Sequence, residues 1–157
     1  MIRKTSERML WCRVLIVLNL CFIWGNSLLP GEFSSALSEW VRSVLGAFLP
    51  PAQDSQGGFL IRKLAHFSEF GCLGFLSAWY FAMICSKRSK IAVCALLTGS
   101  AAAAADELIQ LFSPGRCSSP GDVGIDTAGA AAGIAVLLLG HHFYRNAKTK
   151  NHMEELS

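Results

Sequence analysis

Four apolar runs, each long enough to cross a bilayer, leave this chain few folds. They extend from about Met9 to Leu29, Arg62 to Ile84, Lys90 to Phe112 and Asp122 to Phe143. The hydrocarbon of a membrane needs about 20 mostly apolar residues per helix. The pattern therefore predicts an all-α, polytopic membrane bundle of about four transmembrane helices. Composition agrees: of 157 residues, 52% are hydrophobic and 16% charged, too little polar surface to clothe a soluble globule. The length accommodates the spans and their short loops, so residues 1–157 read as a single membrane domain.

The first run carries a basic head, Arg3, Lys4 and Arg8, and resembles a secretory signal only superficially. Its body ends in Asn26, Ser27, Leu28, Leu29 and Pro30 without an A-x-A site. It is also longer than the roughly 7–15 apolar residues of a signal peptide, so it reads as a retained first helix. Arg13 is placed to snorkel to the nearby interface. Between the first two spans, SSALSEWVRSVLGAFL repeats Leu37, Trp40, Val41, Val44, Leu45 and Phe48 at helical intervals. That spacing predicts an interfacial amphipathic helix over about 34–49. Pro50-Pro51 and Gly57-Gly58 then predict a turn. The tail RNAKTKNHMEELS reads as a frayed, solvated end, and His141 and His142 as interfacial polar residues.

The net charge of +3 does not signal nucleic acid here, because the basic residues flank apolar runs, where they set membrane orientation. With the amino end inside, Arg3, Lys4, Arg8, Arg13, Lys87, Arg88, Lys90, Arg145, Lys148 and Lys150 are cytoplasmic. Only Arg42, Arg62, Lys63 and Arg116 then face outward. This asymmetry predicts a multi-pass protein of the cytoplasmic (inner) membrane with both termini in the cytoplasm. Cys12, Cys21, Cys72, Cys85 and Cys94 lie in or beside apolar runs and read as free thiols. Cys117 falls in an outer loop with no evident oxidised partner, and no cysteine has zinc-like spacing.

Ionisable residues gather at the outer ends of three spans. Arg62, His66 and Glu69 share one helix face beside Lys63; Asp106 and Gln110 share another beside Glu107; Asp122 and Asp126 share a third. At 1.5 Å per residue, Glu69 lies about 10 Å inside the boundary, Asp106 about 9 Å and Asp126 about 6 Å. Charged side chains at the bilayer centre cost roughly 2.5–3.5 kcal/mol on insertion scales. The acids should therefore face one another. The expected result is an outward-facing pocket lined by Arg62, Lys63, His66, Glu69, Asp106, Glu107, Gln110, Arg116, Asp122 and Asp126. Gly99, Ser100 and Ala101 to Ala105 in the third span, and Gly129 and Gly133 in the fourth, permit close helix approach.

RKLAHFSEFGCLGFL followed by DELIQLFSPGRCSSPGDVGIDTAGAAAG resembles the VanZ-like family of small bacterial membrane proteins. The resemblance covers roughly Arg62 to Gly133. Its most specific part combines Lys63, His66 and Glu69 with Asp106-Glu107, Gln110, Arg116, Asp122 and Asp126. Two positions depart from it: Phe70 stands where such proteins often carry tyrosine, and Asp126 where some carry asparagine. The namesake is associated with low-level resistance to teicoplanin, a glycopeptide that acts on lipid-linked cell-wall precursor at the outer membrane face. The resemblance brings no biochemical mechanism with it.

The leading expectation is a pocket that binds the headgroup of a membrane lipid or lipid-linked envelope precursor, covered by the interfacial helix. Arg62, Lys63 and Arg116 suit an anionic group. A structural alternative makes the same charges a brace that fixes helix register in a protein with a membrane partner. An enzymatic alternative uses His66 as acid or base, oriented by Glu69. Metal-assisted hydrolysis through His66, Glu69, Asp106 and Asp126 is conceivable, but one imidazole among scattered acids is not a strong zinc signature. Neither a metal nor another cofactor is expected, and catalysis is not the favoured reading.

Overall fold

Inside lipid, each backbone polar group must find its partner within the protein, so an isolated apolar run closes into a helix. The computed structural model describes residues 2–45, 56–116 and 119–154. Among them, the regular structure is helical throughout: α1 (Ile2–Leu28), α2 (Gly31–Leu45), α3 (Gln56–Ile84), α4 (Arg88–Gln110) and α5 (Pro120–Glu154). Four helices, α1, α3, α4 and α5, are long and apolar enough to cross a membrane. The chain is an all-α, multi-pass membrane bundle.

Several boundaries differ from the sequence expectation. The interfacial helix begins at Gly31 rather than about 34; Phe48 and Pro50-Pro51 lie outside the described residues. Gly57 and Gly58 do not turn but belong to the first turn of α3. Glycine disfavours helix by only about 1 kcal/mol relative to alanine, so these two residues are compatible with either a turn or the start of α3. The tail is not frayed after Arg145; α5 stays helical to Glu154, through residues such as Ala147, Lys148 and Lys150 that favour helix. Cys117 lies outside the described residues, while the other five cysteines are free thiols.

Helix α3 is the hub of the bundle, packed against α1, α2, α4 and α5, and its contact with α5 is the most extensive. Glycines make that contact possible. A Cβ on Gly133 would meet the carbonyl oxygen of Gly71, one on Gly129 that of Phe67, and one on Gly74 that of Ala130. The two backbones therefore touch directly, and dispersion between them replaces the interlocking of large side chains. Helix α4 joins the pair through Gly99, where a Cβ would meet the Ala130 methyl group.

Two small cores fill the remaining space: Ile23, Phe70, Leu73, Ala102 and Ala103 towards one end, and Ala78, Ile91, Ala95 and Ile134 towards the other. Leu10, Trp11, Val17, Leu18 and Phe22 on α1, Leu97 on α4 and Leu139 on α5 point outward. Exposed apolar surface of this kind suits acyl chains. At the end of the bundle formed by the start of α1, Arg13 Nε and Nη2 donate to the Tyr80 hydroxyl at 3.3 and 3.1 Å, with the guanidinium 5.4 Å from the ring centroid. Arg13 is thus anchored on α3 as well as exposed.

Gly133→Val should lower the thermal unfolding midpoint of the detergent-solubilised protein, because overpacking a tight core costs about 1–3 kcal/mol. Gly140→Ala, where a Cβ would meet nothing within 4 Å, should leave the midpoint unchanged. Equal midpoints for both variants would contradict backbone contact between α3 and α5.

Candidate functional site

The first turns of the apolar part of α3, the last turns of α4 and the first turns of α5 meet at one end of the bundle. There they surround a cavity of about 190 Å³. Eight of the ten residues expected at the site line it: Arg62, Lys63 and His66 from α3, Glu107 and Gln110 from α4, Arg116 from the loop, and Asp122 and Asp126 from α5. Gly115 and Ile125 complete the wall. The other two residues are placed differently. Asp106 is fully buried behind the cavity, where its Oδ2 lies 3.9 Å from His66 Nδ1. Glu69 turns to the other side of α3 and lines a separate cleft of about 150 Å³ with Asn26, Phe33 and Ser38; Arg62, His66 and Arg116 border both spaces. Helical spacing puts Arg62, His66 and Glu69 on one broad face, but that face is split between two neighbouring helices.

Three contacts fix the mouth. Lys63 Nζ donates to Asp122 Oδ1, an ion pair that links α3 to α5. Glu107 Oε2 accepts from the backbone N–H of Ser119 at 2.8 Å, and Ser119 Oγ accepts from Gly121 N at 3.2 Å. The entry to α5 is thereby capped, with Asp122 in its first turn where the helix dipole favours negative charge. Arg62 Nη2 donates to Ser35 Oγ of α2 at 3.2 Å, which brings the interfacial helix to the rim.

The end of α1 is held by groups from the loop after α4. Its last carbonyls have no partner within the helix. Arg116 supplies donors, Nη2 to Asn26 O at 2.8 Å and Nε to Leu29 O at 3.2 Å, and Ser113 Oγ donates to Ser27 O at 2.7 Å. The same loop seats α2: Gly31 N–H donates to Pro114 O at 3.0 Å, and a Cβ on Gly31 would run into the Gly115 carbonyl. Gly115 itself has φ +73°, the left-handed region open to glycine. Burial and, second, the neighbouring Arg62 charge hold the Arg116 pKa below its ordinary value, while Asp106, Glu69 and Glu107 act in the opposite direction.

Deeper in, Gln110 Nε2 donates to Asp106 Oδ2 at 2.7 Å and contacts Ser27 Oγ at 3.3 Å. Glu69 Oε1 accepts from Asn26 Nδ2 at 3.1 Å. His66 Nδ1 stands 4.0 Å from Asp126 Oδ1. Asn26, Ser27 and Ser113 were not among the residues expected at the site. A signal for the first two did exist, since two adjacent amide and hydroxyl side chains end an otherwise apolar run.

A model of the VanZ/LLP1 family matches residues 10–141, a stretch that includes α1 from residue 10 onward as well as every residue around the cavity. The chain belongs to the VanZ/LLP1 family. No curated protein and no solved structure matches it. The match reaches beyond the stretch from Arg62 to Gly133 that carries the sequence resemblance, and α1 accordingly contributes Asn26 and Ser27 to the polar end of this VanZ/LLP1 bundle.

Gln110→Leu removes the donor to Asp106 while keeping most of the side-chain volume. An unsatisfied buried group costs about 1–3 kcal/mol, and more when charged. The variant should therefore unfold at a lower temperature in detergent, whereas a midpoint equal to that of the unsubstituted protein would show that Asp106 does not depend on Gln110.

Proposed function

We propose that the cavity at the α3–α4–α5 end binds the anionic headgroup of a membrane lipid or lipid-linked envelope precursor. The observation that carries this reading is the convergence of Arg62, Lys63 and Arg116 on one open space at the ends of membrane helices. A phosphate oxygen accepts charge-assisted hydrogen bonds from guanidinium and ammonium groups, and arginine's planar fork suits it best. Glu107 and Asp122 on the same wall accept hydrogen bonds from amine or sugar groups next to such a phosphate. A space of 190 Å³ holds roughly six waters at about 30 Å³ each. It therefore takes the phosphate and its polar neighbours, and the acyl or prenyl chain remains in lipid.

The distribution of basic residues supports a cytoplasmic-membrane protein with both termini inside and this cavity facing outward. A lipid-linked cell-wall precursor presents phosphate and sugar at that surface, and it is what the glycopeptide linked to the family's namesake acts on. Altered glycopeptide susceptibility is accordingly part of this reading. Helix α2, tied to Arg62 through Ser35, would cover the entrance with Phe33, Leu37, Trp40 and Val44 turned towards lipid.

The brace reading also has support: Lys63 is paired with Asp122, and Arg116 is spent on the α1 carbonyls. Arg62→Ala and Lys63→Ala separate the two readings. Losing a charge-assisted hydrogen bond of about 1.5–3 kcal/mol corresponds to a tenfold or greater fall in affinity. Native mass spectrometry of purified protein offered phosphatidylglycerol, a polyprenyl phosphate or phosphatidylcholine should show the first two retained and each variant weakened about tenfold. Equal retention of all three lipids by all proteins would refute headgroup binding; unfolding of each variant would favour the brace.

Orientation has its own check. In a background cleared of native cysteines, a cysteine replacing Gly121 should react with an impermeant maleimide added outside intact cells. One replacing Ser89 should react only after the membrane is opened. The reverse pattern would invert the topology.

A further inference from the structure

Behind the basic mouth lies a group of residues with different chemistry. His66 from α3, Asp106 from α4 and Asp126 from α5 each present one donor atom, and these three atoms lie within 4.8 Å of one another. The His66 Nδ1 separations of 3.9 Å to Asp106 Oδ2 and 4.0 Å to Asp126 Oδ1 are too long for hydrogen bonds. They are close to what a shared cation requires. Bonds of about 2.0–2.2 Å to nitrogen and oxygen place adjacent ligands of one ion roughly 3.0–3.6 Å apart. Movements of less than an ångström, within reach of side-chain torsions, would close the set around an ion.

A second observation points the same way. The Asp126 side chain is 2% exposed, and its Oδ2 has no hydrogen-bond partner among the described residues; the same holds for Oδ1 of Asp106, which is 0% exposed. Buried carboxylates normally pair with a base or hold a metal. Lys63 pairs with Asp122, and Arg116 gives its hydrogen bonds to the carbonyls of Asn26 and Leu29. Around both spaces five carboxyl groups, of Glu69, Asp106, Glu107, Asp122 and Asp126, stand against three basic side chains, Arg62, Lys63 and Arg116. A divalent ion offsets that excess.

We propose that His66, Asp106 and Asp126 together bind a first-row divalent cation, of the class of zinc or manganese, at the inner end of the pocket. One neutral imidazole and two carboxylates suit these ions, whereas calcium takes 6–8 oxygen ligands. Gln110, bonded to Asp106 Oδ2, is a positioning residue that orients a ligand, as partners of metal-bound carboxylates commonly do. Because His66 and Asp126 also line the cavity, the ion keeps a face open to it.

Neither the ion nor its test depends on a headgroup occupying the space above. The full-length protein in a non-ionic detergent, stripped with chelator and dialysed, is titrated by calorimetry with zinc chloride and separately with manganese chloride. One ion per chain is expected for at least one metal. Asp126→Asn and His66→Ala should each weaken that binding at least tenfold, and Glu39→Gln, on the exposed side of α2, should not change it. Folded unsubstituted protein that takes up less than half an ion per chain of either metal overturns the site, whatever the variants do. So does folded Asp126→Asn and His66→Ala protein binding as tightly as the unsubstituted chain. Stoichiometric metal in a protein that retains no anionic lipid would keep the cation site and remove the headgroup reading; the converse would do the opposite.

Discussion

The cost of charge in oil governs this structure. Asp106 and Asp126 belong to helices long and apolar enough to cross a membrane, and both side chains are almost wholly buried. An ionised carboxylate facing acyl chains is poorly tolerated, so the rotation of α4 and α5 about their axes is set before any detail of packing. Each helix must turn its acids towards the other and towards His66 on α3. The apolar residues left on the far faces, such as Leu97 and Leu139, then meet lipid by default.

That rotation is feasible only because the same faces carry no bulk. On α5, Asp122, Asp126, Gly129 and Gly133 share a side, so the turns that aim acids inward continue into the turns that lie against α3. The α3 side of the contact uses Gly71 and Gly74, so small residues meet small residues and the backbones touch. Close approach and polar clustering are therefore one arrangement. A large residue at Gly129 would push α5 off Phe67 and carry Asp126 away from His66 with it.

Much of this was legible in the chain. Four spans, an interfacial helix, and the grouping of Lys63, His66, Glu107, Gln110, Asp122 and Asp126 follow from apolar length and helical spacing alone. Glu69 and Asp106 mark the limit of that reasoning. Spacing assigns a residue to a face about a third of a helix wide, and a neighbour that cuts the face in two is invisible to it. Glu69 falls to the α1 side for that reason, where Asn26 receives it. The roles of Gly71 and Gly74 were equally hidden, since their partner helix lies more than fifty residues away in the chain. Helix ends failed for a local reason: Gly57-Gly58 and the Lys-rich tail are compatible with both turn and helix, and the helix already present beside them decides.

The remaining question for such a bundle is what keeps α1 in place, and the answer joins fold to site. Only 11% of its apolar span is buried, against 39% for α4. Burial alone therefore binds α1 weakly, and in lipid an apolar helix gains little by leaving the acyl chains for another helix. Its attachment at the pocket end is polar: Asn26 to Glu69, Ser27 to Gln110 and Ser113, and two carbonyls to Arg116. Each partner on that list belongs to the charged cluster or to the loop beside it. The cluster is thus also the clasp for the first helix, and a group that draws Arg116 or Gln110 away from α1 changes the hold on that helix as it changes the pocket.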